Sequence, residues 1–149
     1  VASVVPTGLA LPGRRLAPVV AEEATDGALG IPENVGTLGW WRGGAGLDVP
    51  AGSIVIAGHI DSATQGIGYF AALRDVAPGA SVTVRGSDGR TREFLVTGRR
   101  TYAKARGLPP GVFDQQVALR LVLITCTGRF DQGRRSYDDN LVVYAVPAG

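Results

Sequence analysis

Apolar, β-branched runs of only five to seven residues, each closed by glycine, proline or a polar turn, set the limits on what this chain can fold into. The clearest are Ser53–Ala57 (SIVIA), residues 119–125 (LRLVLIT) and residues 141–146 (LVVYAV). Such runs are too short for buried helices and have the composition of strands. The 22 glycines and 9 prolines are spread along all 149 residues, as many turns between short strands require. Residues 1–6 and 17–20 read as early strands around a turn at Pro12 and Gly13. Residues 81–85 and 91–99 flank Gly86-Ser87-Asp88-Gly89, whose turn chemistry predicts a hairpin. Short helical turns are expected over residues 32–38 and 68–73, with loops at 43–46 and 107–111. Seven or eight strands with little helix predict an all-β barrel or sandwich. The length suits one domain, residues 1–149.

Composition removes several function classes. Apolar residues make up 45% and charged residues 19%, a globular balance. The net charge of +2 comes without a concentrated basic patch, so nucleic acid is not an expected partner. One cysteine allows no internal disulfide, and one Cys with one His cannot build a four-ligand zinc site. Asp138 and Asp139 alone do not make a calcium loop. Neither a phosphate-binding glycine loop nor a dinucleotide fingerprint is present. No metal or cofactor is therefore expected. The apolar runs fall far short of the roughly 18–20 residues that span a bilayer.

The residues that can do chemistry are Cys126 and His59, each the only one of its type. Each follows a strongly apolar run: SIVIA-Gly58-His59 and LVLI-Thr125-Cys126. Adjacent strands of a barrel would bring such ends to one rim. A thiolate and an imidazole side by side carry out acyl transfer, the first as nucleophile and the second as acid and base. A lone cysteine is also a common small core residue, and a lone histidine a common packing or surface one. Spacing alone leaves both readings open. The order His before Cys is the reverse of papain-like enzymes, and Ser62 lies in no nucleophile elbow.

Together the two segments resemble the sortases, whose nucleophile ends a TLxTC-like strand and whose histidine follows an upstream glycine. Here these are Val122-Leu123-Ile124-Thr125-Cys126, with Val122 where threonine is usual, and Ala57-Gly58-His59. Gly39-Trp40-Trp41, Gly58-His59-Ile60-Asp61 and Tyr137 with Asn140-Leu141-Val142-Val143-Tyr144-Ala145 look most like the class F branch of actinobacteria. The resemblance covers the chain from about Leu29 onwards. It implies a closed eight-stranded β-barrel with short helices in its connections. It also implies a monomer outside the cell, held at the plasma membrane by an N-terminal anchor that the present residues do not include. The implied reaction is cleavage of an LPXTG-like sorting signal between Thr and Gly, through a thioester on Cys126. Transfer to an amine of a cell-wall precursor then anchors a surface protein.

One position departs from the family. Its third catalytic group is an arginine five residues before the alanine matched by Ala145, and Asn140 stands there. A guanidinium from the preceding loop is the expected replacement, with Arg129 and Arg135 the candidates beside Arg134. Thr125, Leu108, Val112 and Asn140 are expected at the peptide site, with Pro109 near the signal's Leu-Pro. Asp61 is a candidate to orient His59 or to cap its loop. Trp40 and Trp41 read as one inward ring and one half-exposed ring. Two other functions share the scaffold: a cysteine hydrolase, in which water resolves the acyl-enzyme, and a peptide-binding barrel without catalysis.

Overall fold

A computed structural model of the chain describes residues 3–25, 28–131 and 136–148, with the backbone alone for Thr25, Ala28, residues 126–131 and Ser136. The strands are β1 (Pro6–Ala10), β2 (Ala17–Glu22), β3 (Ala24–Thr25), β4 (Ala28–Leu29), β5 (Leu38–Trp41), β6 (Ser53–Ala57), β7 (Asp61–Ser62), β8 (Gly66–Ile67), β9 (Ser81–Gly86), β10 (Thr91–Ala103), β11 (Arg120–Asp131) and β12 (Ser136–Pro147). Eight of them close a barrel in the order β1-β2-β5-β6-β11-β12-β10-β9. The pairs β3–β4 and β7–β8 are small separate ladders. Short 3-10 helices, Tyr69–Asp75, Lys104–Arg106 and Pro110–Phe113, sit in the connections. The expected eight-stranded barrel is therefore the fold.

Strand chemistry explains the layout. β9 and β10 alternate, with Val82, Val84, Phe94 and Val96 turned inward and polar residues outward. β6 does not alternate: all five residues are buried. It pairs parallel with β11 and lies covered on both faces, which is why its sequence is continuously apolar. Its inward side chains, Ile54 and Ile56, join Leu121, Leu123, Leu141 and Val143 in the main core with Phe70 and Leu73. Its outward ones, Val55 and Ala57, meet Val122, Ile124 and Val142 in a second cluster that Val112 caps.

Three sequence-based expectations change. Residues 3–5 precede the first strand, which runs over Pro6–Ala10 (residues 1–2 lie outside the described residues). Residues 32–38 form no helix. The Asn34 side chain accepts the Gly36 amide at 2.8 Å, and its carbonyl accepts the Thr37 amide at 3.1 Å, making a turn instead. The strand that carries Cys126 does not end there but continues to Asp131, paired antiparallel with β12.

Candidate active site

β6 and β11 run parallel with a constant offset: Ser53 lies beside Arg120, and Ala57 beside Ile124. The offset of 67 residues persists past the end of β6. The Gly58 amide donates to the Ile124 carbonyl at 3.1 Å, and the Thr125 hydroxyl donates to the Gly58 carbonyl at 2.8 Å. The next residues along the two segments at that offset are His59 and Cys126. On the other side of β11, Cys126 pairs with Asn140 of β12, and Asn140 pairs with Tyr102 of β10. Cys126, Asn140 and Tyr102 thus occupy one row across three strands, and His59 follows two residues after the end of β6, on the far side of β11 from Asn140. The Cys126 side chain is not among those described.

Local packing fixes the histidine's segment. Gly58 lies against Leu38 and Phe70, where an added Cβ would come within 3.0 Å of the Phe70 ring. After His59 the chain turns through buried Ile60, whose carbonyl accepts the Gly68 amide at 2.8 Å. A Cβ on Gly68 would collide with the His59 carbonyl, so only glycine permits the returning chain to lie this close. Thr125 is buried at 2% exposure, so its hydroxyl acts as a strut between the two strands rather than as an open surface group. Asp61 accepts a 2.6 Å hydrogen bond from the Tyr137 phenol, tying the segment after His59 to β12. That carboxylate is engaged with β12, two residues beyond the histidine.

The remaining expected residues fall into groups. Leu108 and Val112 belong to the connection between β10 and β11, which crosses the outer face of the sheet; Val112 is 1% exposed and Leu108 partly buried against the same cluster. Asn140 is half-buried in the row just described. Arg129 lies on the backbone of β11 with its side chain undescribed, and Arg134 and Arg135 lie outside the described residues. Trp40 is buried and donates to the Ala45 carbonyl at 3.0 Å, whereas Trp41 stays half-exposed and meets Phe113 edge to face at 5.3 Å. Among the described residues no three His, Cys, Asp or Glu side chains cluster as metal ligands, and no helix is long and apolar enough to cross a membrane.

Sequence reasoning did not single out β10 as part of this face. A bulge between Val96 and Gly98 shifts its register on β12. Val96 faces the core, while Gly98, Arg100 and Tyr102 pair with Tyr144, Val142 and Asn140 of the outer set. A bulge re-aims side chains in this way. The Tyr102 and Tyr144 hydroxyls stand 3.4 Å apart. Burial, with the Tyr102 hydroxyl beside it, pushes the Tyr144 phenol up to about 12. The guanidinium of Arg120 lies over the Tyr144 ring at 5.1 Å.

Comparison with known proteins bears on this geometry. Among solved structures, sortase C1 of Streptococcus agalactiae in complex with MTSET superposes with a TM-score of 0.70 at 18% identity, covering 95% of this chain and 66% of that one. A lid mutant of sortase A from Corynebacterium diphtheriae gives 0.70 at 21% identity, covering 97% and 70%. Sortase A of Listeria monocytogenes gives 0.67 at 17% identity, covering 97% and 88%. At these identities the likeness is one of fold, and the chain spans about two thirds of the length of the first two. Comparison with curated protein sequences gives no match. The sequence model of the Sortase domain, in contrast, matches residues 9–148. With that match running through the barrel from β1 to β12, the chain belongs to the sortase family.

Proposed function

We propose that this single domain is a cysteine transpeptidase that anchors surface proteins, with Cys126 as nucleophile and His59 as acid and base. The observation that supports this is the 67-residue offset between β6 and β11, continued by the Gly58–Ile124 and Thr125–Gly58 hydrogen bonds, after which the next residue on each segment is His59 or Cys126. In the reaction, the Cys126 thiolate attacks the carbonyl carbon of the scissile amide. The C–N bond breaks, and the His59 imidazolium gives its proton to the departing amine, leaving a thioester. An incoming amine then attacks the thioester, His59 takes its proton, and the thiolate leaves.

The tetrahedral intermediates need a donor for their oxyanion, and loss of one such donor costs about 3–4 kcal/mol in typical acyl transfer. Arg129 and Arg135 are our candidates, because the row itself offers only the neutral amide of Asn140 at the family's arginine position. The proposed donor is an LPXTG-like sorting signal cut between Thr and Gly, and the acceptor an amine of a cell-wall precursor. Leu108 and Asn140, both partly exposed, line the peptide site, while buried Thr125 and Val112 support it from beneath; the motifs resemble the class F branch. The place of action is the outer face of the plasma membrane, reached through an N-terminal anchor.

The test is incubation with a fluorogenic LPXTG peptide and an amine, followed by mass spectrometry, beside Cys126→Ala and His59→Ala. A Cys126-dependent amide product is expected, with His59→Ala slowing its formation by roughly 100- to 10,000-fold. Release of free acid alone, with amine present, would replace transpeptidation by hydrolysis. Peptide binding without any thioester would leave a non-catalytic barrel. Replacing Arg129 and Arg135 in turn by alanine identifies the oxyanion donor, and unchanged rates in both would remove them from the mechanism.

A further inference from the structure

Beside the row Cys126–Asn140–Tyr102 a second groove runs down the outer face of β10 and β12. It has a volume of about 530 Å³, with Gly98, Arg100, Tyr102 and Tyr144 on its floor and Pro109 and Arg120 on its wall. Its two cations lie near opposite ends. Arg100 stands at the level of Val142, and Arg120 enters one pair below Leu121 and Ala145, at the level of Val146. Four residues of strand separate those levels, roughly 13 Å.

The charges here are uncompensated. Arg120 donates through Nε to the Ser53 hydroxyl at 2.8 Å and through Nη2 to the Gly111 carbonyl at 2.5 Å, and it covers the Tyr144 ring. All three partners are neutral. No carboxylate lines the groove among the described residues. The Tyr144 phenol, held up at about 12 by burial, adds no negative charge at neutral pH. Arg120 is thereby held in place by neutral partners, and Arg100 is exposed at the groove.

We infer that this groove holds an extended acidic segment of the acyl donor, lying N-terminal to the bond that is cleaved. The inference rests on the proposed transpeptidase reading and sharpens its substrate class. Charge decides the chemistry: two guanidiniums on an aromatic floor, that of Arg120 over the Tyr144 ring and that of Arg100 from the level of Val142, match carboxylates on an extended peptide. Position decides which part of the reactants lies there. The departing amine and the incoming amine both exchange a proton with the same imidazole, so both occupy the His59 side of Cys126. The groove opens on the other side, past Asn140 and Tyr102, where the acyl portion must run.

The test compares two donor peptides with the same sorting motif, one preceded by a Glu-rich segment and one by its Gln counterpart. Turnover by the wild-type protein, Arg100→Gln and Arg100→Lys is measured, and binding of both peptides to Cys126→Ala is followed by fluorescence anisotropy. The acidic donor is expected to show about tenfold higher kcat/KM, carried by KM, as charge-assisted pairs give. That preference should shrink to about twofold in Arg100→Gln and at about 0.5 M salt, and survive largely in Arg100→Lys. A donor with neither upstream segment should be turned over equally by wild type and Arg100→Gln. Equal binding of the acidic and neutral peptides to Cys126→Ala would overturn the inference, as would a preference that Arg100→Gln leaves intact. A preference for acidic acceptors in place of acidic donors would overturn it too. Tighter binding of the acidic peptide with no turnover by wild type would sustain the groove while removing the transpeptidase reading.

Discussion

Alternate residues of β6, β11 and β12 feed two different cores. Inward, Ile54, Ile56, Leu121, Leu123, Leu141 and Val143 meet their counterparts across a barrel that closes on itself. Outward, Val55, Ala57, Val122, Ile124 and Val142 are covered only because the connection from β10 to β11 folds across them and seats Val112. The interior is held by the sheet's own closure, whereas the outer cluster depends on a loop containing two prolines and two short 3-10 turns. The difference teaches a division of labour. The interior sets whether the chain folds, and the outer cluster sets the shape of the face on which the row of Cys126, Asn140 and Tyr102 lies.

The largest expected effect comes from the interior. Leu123→Ala leaves a cavity in a side chain's place at the barrel centre and should cost about 2–5 kcal/mol in global stability, read from denaturant unfolding. Thr125→Val should cost about 1–3 kcal/mol, because it removes the buried hydrogen bond from the hydroxyl to the Gly58 carbonyl. Its activity should fall further than its stability does, since the lost strut is next to both His59 and Cys126, the proposed acid–base and nucleophile. Val112→Ala should cost only about 1–2 kcal/mol, with its main consequence a raised KM for the donor peptide. If Val112→Ala weakened the whole barrel as much as Leu123→Ala, the separation of the two cores would be wrong.

The smallest effect is confined to alkaline pH. The Tyr144 phenol titrates near 12, above its ordinary value of 10, so the folded protein holds that proton where the unfolded chain releases it. The folded state gains from this below pH 10 relative to higher pH, and stability falls as pH rises from about 10 towards 12. Tyr144→Phe should lack that fall, and ultraviolet titration of the variant should lose the highest-titrating tyrosine. A variant that still loses stability over the same window would place the effect elsewhere.

How much of this was legible in the sequence follows from the range of each interaction. SIVIA and LVLIT announce β6 and β11 because both faces of those strands are buried, and an apolar run survives in any reading frame. The extension of β11 to Asp131 left no such mark, since residues 127–131 and 136–140 are mostly polar. The turn at Asn34 mimicked a helical start after Pro32, and its local side-chain hydrogen bond prevailed. The bulge after Val96, which brings Arg100 and Tyr102 to the outer face, has no composition of its own to betray it. Cys126 and His59 were singled out in the sequence by rarity, each being the only residue of its type. Arg100 and Arg120 were not singled out, because nothing local distinguishes them from other surface residues. The bond between Asp61 and Tyr137 joins residues 76 apart and was likewise invisible.

The parallel pairing of β6 with β11 has a consequence in time. Antiparallel neighbours such as β9 and β10 are joined by a tight hairpin and pair with little loop entropy to overcome. β6 and β11 meet only after the 67 residues between partners, which include β9 and β10, have been brought round. Loop closure on that scale is paid before any contact rewards it, and pairings of this kind are slow. A partly built barrel, even one with its hairpins complete, keeps His59 and Cys126 on separate pieces of chain. The approach of the His59 and Cys126 segments therefore waits on the pairing of β6 with β11, and a chain arrested short of that pairing carries both residues on strands that have not met.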